Sequence, residues 1–326
     1  MSTRERRLFS VLFALILLQL YVGSAFMVIM PGVTLPLHAI VEVPGSNPGS
    51  RGTFFLTSVA NERANLLSVF YSFISPEREL ITLRGELPPG MNLPQYMDLM
   101  GRMMEESIMV SQAVAFQKAG LPVDIRPSVR VEGILPRSPA AGILQAGDEI
   151  IGVDGQRITT TEGVMALLQN RTPGEVVVLE ILREGENLEV EMETVDERGQ
   201  AALRIMVGNH HRYGFPCSVK VEPQNIGGSS AGLMFALEIL DQLTPQDLTK
   251  GWPIAGTGTL TLEGRVEAIG GVKQKVIAAE RAGARYFFAP QANVADARRV
   301  ARDIQIVGVE TIEEALTFLE NLPPKT

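Results

Sequence analysis

Cysteine is nearly absent from this chain of 326 residues: Cys217 stands alone, so no intramolecular disulfide can form, and stability has to come from packing. A small buried apolar role is expected for it. Histidine is scarce too. His38, His210 and His211 lack paired ligand spacing and belong to no recognisable motif, so neither a metal site nor a Ser-His-acid triad is indicated. No Gly-x-x-x-x-Gly-Lys-Ser/Thr run occurs, which leaves no phosphate-cradling loop for ATP, and energy-driven unfolding would need a partner. The net charge is −8 and no Lys/Arg-rich block follows the amino terminus, so there is no electrostatic footprint for nucleic acid. Nothing calls for a cofactor. The single Trp252 precedes Pro253 in a loop and is read as a packing residue.

What is present begins with Leu8 to Met30, 23 residues without a charge. At about 1.5 Å per residue that run crosses a bilayer core of about 30 Å as one helix. Arg4, Arg6 and Arg7 precede it, so the amino terminus is expected to stay in the cytoplasm and the rest of the chain to lie on the other side of the cell membrane. A cleaved signal peptide is the alternative, because Gly23 and Ala25 are small residues near a cleavage point. The apolar run exceeds a signal-peptide core of about 7–15 residues, which favours a single-pass anchor over residues 1–32.

Residues 33–125 are read as a first extracytoplasmic region. Leu37–Val43 and Thr53–Val59 have strand character and are separated by a turn cluster, Pro44 to Gly52, which suggests a hairpin. From Pro94 to Ala119 the period becomes helical, with Met97, Met100, Met104, Ile108, Ala115 and Ala119 on one stripe. A methionine-rich face can hold varied apolar peptides, but filling a core is the commoner use.

The most chemically suggestive run is Asn225-Ile226-Gly227-Gly228-Ser229-Ser230-Ala231-Gly232, followed 43 positions after Ser230 by Gly270-Gly271-Val272-Lys273. A small-residue turn feeding Leu233–Leu237 would put Ser230 in the first turn of a helix, where free N–H groups and the dipole favour a developing oxyanion. A neutral lysine can take the serine proton, provided burial brings its amine from the usual value near 10.4 down to roughly 7. Counted at about 100° per residue, Lys273 falls between Val276 and Ile277, and Lys275 between Ala279 and Ala282. Lys273 has the more apolar flank on that count and is ranked first as the base.

Residues 126–196 carry a second pattern: Val129-Arg130-Val131, Ser138-Pro139-Ala140-Ala141-Gly142, Gly147-Asp148 before Glu149–Val153, the Asp154-Gly155 turn, a helix near Thr161–Gln169, and strands at Val176–Arg183 and Leu188–Glu193. This resembles a PDZ domain. The resemblance implies that an extended peptide adds to a sheet edge with its carboxylate in a backbone nest. Gly120-Leu121-Pro122-Val123 is the candidate carboxylate loop, and a purely structural module is the alternative.

Residues 197–326 alternate strands and helices, with a strand expected at Phe215–Glu222. Ser230-Ala231-Gly232, Thr257-Gly258-x-Leu260-Thr261-Leu262-x-Gly264-x-Val266 and Gly270-Gly271-Val272-Lys273-x-Lys275-x-x-Ala278-Ala279 resemble the proteolytic domain of Lon proteases. With an anchor, a PDZ pattern and no ATPase, the chain is similar to the membrane-anchored bacterial Lon-like PDZ proteases of the YlbL type. The fold expected is multi-domain α+β: a transmembrane helix, a β-rich PDZ-type domain and a Lon-type α/β domain. The resemblance implies Ser230 as nucleophile, Lys273 as general base and Thr257 as a residue orienting the amine. Gly228, Ser229 and Ala231 are expected to support the oxyanion. It also implies a homo-oligomer, commonly a ring of six, acting without ATP on accessible protein or peptide segments. Two positions depart from the pattern: Ser229 replaces a usual proline, and Gly227 stands where many Lon enzymes have aspartate. A membrane-tethered PDZ scaffold with an inactive protease-like domain is the competing expectation.

Overall fold

The computed structural model describes residues 3–46, 51–75, 77–88, 91–224 and 226–325. Asn225 of the serine-rich run and residues 47–50 of the Pro44–Gly52 cluster lie outside the described residues.

Two compact units divide the chain, one made of residues 1–122 with 216–326 and the other of residues 123–215. This division differs from the one expected. Residues 33–122 do not form a region of their own but share a unit with the carboxy-terminal part, and residues 197–215 fall in the unit that contains the PDZ pattern.

The first unit opens with helix α1 (Thr3–Ala25), and the apolar run changes form after it. Phe26–Met30 were expected to continue the helix but begin strand β1 (Phe26–Pro36), in which Met27 and Val28 are buried. Strand β2 (Thr53–Arg63) pairs antiparallel with β1 across an irregularity between Pro31 and Thr34. Leu37–Ala39 form a 3-10 turn rather than the expected strand, and only Val41–Glu42 extends, pairing with Lys220–Val221. The expected hairpin partner of β2 is therefore replaced by the end of the apolar run. Helix α2 (Leu66–Ile74) starts at a reciprocal cap between Asn65 and Ser68, and strand β3 (Glu79–Thr82) follows on the outer side of β1. Helix α3 (Leu93–Lys118) is the expected methionine-bearing helix. Asn92 and Gln95 cap its start, and at its end Gly120 adopts φ +72° while Leu121 N–H donates to Phe116 O. That is the glycine-terminated stop of a helix.

In the second unit, strands β4 (Asp124–Ile134), β5 (Glu149–Val153), β6 (Val176–Arg183) and β7 (Glu186–Glu193) and helix α4 (Thr161–Gln169) appear close to the expected places. Asp154 (φ 51°) and Gly155 (φ 75°) form a turn that needs positive φ at both positions. Strand β8 (Ile205–Gly214) adds to β4 along nearly its whole length, and the antiparallel order is β8-β4-β5-β6-β7. Val129, Val131, Ile150, Leu179 and Ile181 fill the core beneath.

Back in the first unit, helix α5 (Gly232–Leu243) is buried from Gly232 to Asp241. Strand β9 (Pro253–Gly256), the short hairpin β10 (Thr259–Leu260) with β11 (Val266–Glu267), helix α6 (Val272–Arg281), strand β12 (Tyr286–Pro290), helix α7 (Val294–Val300), strand β13 (Gln305–Val309) and helix α8 (Ile312–Asn321) complete it. The expected strand at Phe215–Glu222 is reduced to Lys220–Val221. A six-stranded mixed sheet runs in the order β13-β12-β9-β2-β1-β3. Its β13, β12, β9 and β2 neighbours are parallel, and β1 and β3 are antiparallel additions. The amino-terminal strands thus finish a sheet started by the carboxy-terminal ones, and they set β9 two strands from its edge. Trp252 meets its expectation as a packing residue, stacking edge-on to Tyr286 and donating from Nε1 to Pro323 O at 2.8 Å.

Candidate active site

Strand β9 ends at Gly256, and the next residue, Thr257, is almost wholly buried. Its Oγ1 donates to Ser230 O at 2.9 Å, and Gly258 N–H donates to the same carbonyl at 2.8 Å. The residue after the sheet strand therefore pins the backbone of the serine turn. Ser230 itself precedes α5: Ala231 is the capping position and Gly232 the first helical residue. Its hydroxyl lies just outside the helix rather than in the first turn.

The group facing that hydroxyl is Lys275, whose Nζ lies 2.6 Å from Ser230 Oγ and 3.1 Å from Thr257 Oγ1. Lys273, ranked first from the sequence, is not brought to Ser230. The reason is the helix's burial. Val272, Val276 and Ala279 point into the core with Lys275 between them, at positions i, i+4 and i+7 with the lysine at i+3. Lys275 is 3% exposed, whereas Lys273, about 200° round the helix, is only half-buried. Placing the lysines between their nearest neighbours on a helical wheel missed this, because the informative stripe was the valine-alanine set flanking Lys275.

Burial alone pushes the Lys275 amine down to about 8. No carboxylate pairs with it among the described residues, so nothing opposes that desolvation. About a tenth of the amine is thus uncharged at pH 7, far more than for an exposed lysine, in hydrogen-bond reach of a hydroxyl.

Helix α3 forms the other wall. Gly228 N–H donates to Met100 O at 2.8 Å, Ser107 Oγ donates to Ser229 O at 3.0 Å, and Ser111 Oγ reaches Gly232 O at 2.8 Å and Ser107 O at 2.6 Å. Three contacts along one helix fasten the nucleophile turn. Ser107 and Ser111 escaped sequence reasoning, though two serines one turn apart, flanking the apolar Ile108-Met109-Val110, were a visible signal. Gly228 was expected to offer its amide to an oxyanion, but that amide is engaged with Met100 and the residue holds the loop at φ +91°. Ser229, Ser230 and Ala231 donate their amides to no backbone carbonyl among the described residues. Ser229 Oγ is 3.0 Å from Thr259 Oγ1, so the rival hydroxyl is held by the β10 strand rather than by a base. Gly227 also has an explanation: a Cβ there would stand 2.9 Å from Met100 Cβ, so an aspartate could enter only by displacing α3.

The histidines take no part in this arrangement. His210 lies 3.3 Å from Glu132 within the second unit, and His38 sits in the 3-10 turn. Among the described residues no cluster of His, Cys, Asp or Glu could hold a metal ion. Cys217 is half-buried, less enclosed than expected.

Gly120-Leu121-Pro122-Val123 does not open a strand beside α4, and its role as a carboxylate loop is not supported. Gly120 and Leu121 end α3, as above, and Pro122 follows the stop. Strand β8 is the edge of the second unit's sheet that lies beside α4, and Asn209 Oδ1 on β8 accepts from Thr161 N–H at the start of α4. The residues leading into that edge are Ala202, Leu203 and Arg204.

Two known families match parts of this chain. Residues 222–320 match the Lon protease (S16) C-terminal proteolytic domain, and residues 109–194 match the PDZ domain. The Lon protease of Roseiflexus castenholzii is 43% identical over 93 residues, covering 27% of this chain and 11% of that protein. Lon protease 1 of Thermus thermophilus is 32% identical over 141 residues, covering 39% of this chain and 18% of that protein. The chain thus spans a small part of the length of these curated relatives. Among solved structures, the PDZ domain of the SdrC-like protein from Listeria innocua is 28% identical and covers 26% of this chain and 97% of that one, with a TM-score of 0.24. The chain combines an apolar amino-terminal helix, a PDZ-type β domain and a Lon-type proteolytic domain, in the mixed α and β fold class expected.

Proposed function

We propose that this protein is a serine endopeptidase that works without ATP, with Ser230 as nucleophile and Lys275 as general base. The observation that carries the reading is the buried amine, with no carboxylate against it among the described residues, 2.6 Å from a half-buried serine hydroxyl. In the neutral state Lys275 Nζ accepts the Ser230 proton while Oγ attacks the scissile carbonyl carbon. The carbonyl electron pair moves to oxygen, and the oxyanion is met by amides of the Ser229–Ala231 turn. The intermediate collapses by breaking the C–N bond, and Lys275 returns its proton to the leaving amine. A water then repeats the sequence on the acyl-enzyme, its proton passing to Lys275 and back to Ser230. Thr257 acts as a positioning residue, since one side chain both orders the serine backbone and touches the lysine amine.

The peptide-binding function of the second unit is assigned to β8 and α4, where an extended chain can pair with the free sheet edge. Helix α1 is assigned as a single-pass anchor, with Arg4, Arg6 and Arg7 on the cytoplasmic side and both units outside. Substrates in this reading are flexible segments of extracytoplasmic proteins, and the enzyme works as a homo-oligomer. The test is hydrolysis of an unfolded protein by the wild type and by the Ser230→Ala, Lys275→Ala and Lys273→Ala variants, with covalent labelling by a serine-directed probe. Loss of cleavage and labelling in the first two, with both kept in the third, is expected. Cleavage that survives Ser230→Ala and Lys275→Ala would reject the dyad, and peptide capture without labelling would leave a scaffold.

A further inference from the structure

Helix α2 contains no charged residue, and its apolar stripe faces outward. Leu67, Phe70, Tyr71 and Ile74 recur at i, i+3, i+4 and i+7, the spacing that ordinarily turns a helix toward a core. Here that stripe is exposed, and Phe73 beside it is 79% exposed. The opposite side of the helix is satisfied: Leu66 and Val69 pack on the buried cluster of Val22, Val28 and Ala64. Five large side chains on one short helix make a patch of the kind soluble surfaces avoid.

Its position relative to α1 identifies what covers it. Leu66 N–H, at the first residue of α2, donates to Gln19 Oε1 of α1 at 3.0 Å. Gln19 lies six residues before the end of α1, about 9 Å down its axis. Val22 of α1 belongs to the cluster that holds α2. Helix α2 therefore starts against α1, below the level at which α1 ends, with its exposed stripe on the side away from the packed cluster. No linker intervenes, since β1 begins at Phe26, directly after Ala25.

We propose that α2 is a second membrane contact, lying in the lipid headgroup and acyl boundary of the leaflet where α1 emerges. The inference rests on the reading of α1 as an anchor. A helix of this kind sinks its apolar face about 5–10 Å into the boundary, a depth comparable with the offset of Gln19 from the helix end. The polar surroundings fit the same placement. Arg78 stands over the Tyr71 ring at 5.8 Å, so a guanidinium group flanks the apolar face where phosphate oxygens would lie. A second copy of the chain is the rival occupant, but it would have to reach a face adjoining the lipid-facing side of α1. The consequence is that the proteolytic unit is held on the bilayer rather than swinging on a tether, which directs its site toward segments close to the membrane surface.

The test uses the full chain reconstituted in phosphatidylcholine and phosphatidylglycerol vesicles with brominated acyl chains. Emission is read for the wild type, which has Trp252 alone, and for Phe73→Trp, Leu67→Trp and Leu12→Trp. The last of these reports α1. The expected result is a blue-shifted added emission, most of it lost to brominated lipid, in Leu12→Trp and in at least one α2 variant, with thermal unfolding unchanged. Quenching in Leu12→Trp but in neither α2 variant would overturn the proposal and leave the anchor standing. Quenching in none would overturn both. If unquenched α2 variants coincide with disulfide-linked dimers of Phe73→Cys made together with Cys217→Ser, the face is a contact between copies and the proposal fails.

Discussion

Two faces of one helix, ten residues long, separate the chemistry of this protein from its surface. On the inner face of α6, Lys275 sits among Val272, Val276 and Ala279, loses its solvation and comes to a serine hydroxyl. On the outer face Lys273, two residues earlier, is half-buried and reaches no serine. The same side chain on the same helix thus serves two ends, and only position relative to the core decides which. Lysine is suited to this because its charge is conditional: desolvation can remove the proton.

The sharpest way to break the comparison is to truncate each lysine. Lys275→Ala and Ser230→Ala are each expected to lower kcat/KM by about 10³-fold or more, and Lys273→Ala to leave it within about 2-fold. The second test varies pH. With the amine at about 8, kcat/KM should climb with unit slope up to that pH and then level off. At pH 6 it should stand about 100-fold below the plateau, and the profile of Lys273→Ala should superimpose on that of the wild type.

Smaller effects sharpen the account of the wall that holds the serine. Ser107→Ala and Ser111→Ala are expected to reduce kcat about 10-fold with little change in KM, because each loosens the turn without touching substrate. Ser107→Thr should recover part of the rate if the contact to Ser229 O is what matters. The smallest effect concerns stability. The folded state holds the Lys275 proton less tightly than the unfolded chain does, so the cost of burial is fully present below about pH 8 and vanishes above the unfolded value near 10.5. Lys275→Met should therefore stabilise the protein at pH 7 by about 1 kcal/mol, after the loss of two hydrogen bonds is counted, and the gain should shrink as pH rises through 8 to 10.5. Thermal unfolding at several pH values measures it.

The second unit was the more legible of the two because its elements are local. Asp154-Gly155, the helix at Thr161–Gln169 and the strand at Val176–Arg183 each announce themselves within about ten residues. Its last strand, Ile205–Gly214, did not, since nothing in its composition says that it returns to the first strand of the unit. The proteolytic unit is non-local. Phe26–Met30 read as the tail of a membrane helix because apolarity alone cannot distinguish a span from a buried strand, and Thr53–Leu56 gave no hint of a parallel partner about 200 residues away. The serine turn was visible from its small residues, yet the choice between the lysines depended on which stripe of α6 meets the sheet. Gly120-Leu121-Pro122 illustrates the opposite error, a helix stop read as a ligand loop.

The most direct measurement is a titration of the lysine amines in the full chain by heteronuclear NMR, assigned by comparing Lys275→Ala with Lys273→Ala. One amine should titrate near 8, and its signal should be missing from Lys275→Ala. A depressed amine that survives Lys275→Ala and disappears in Lys273→Ala would contradict the account.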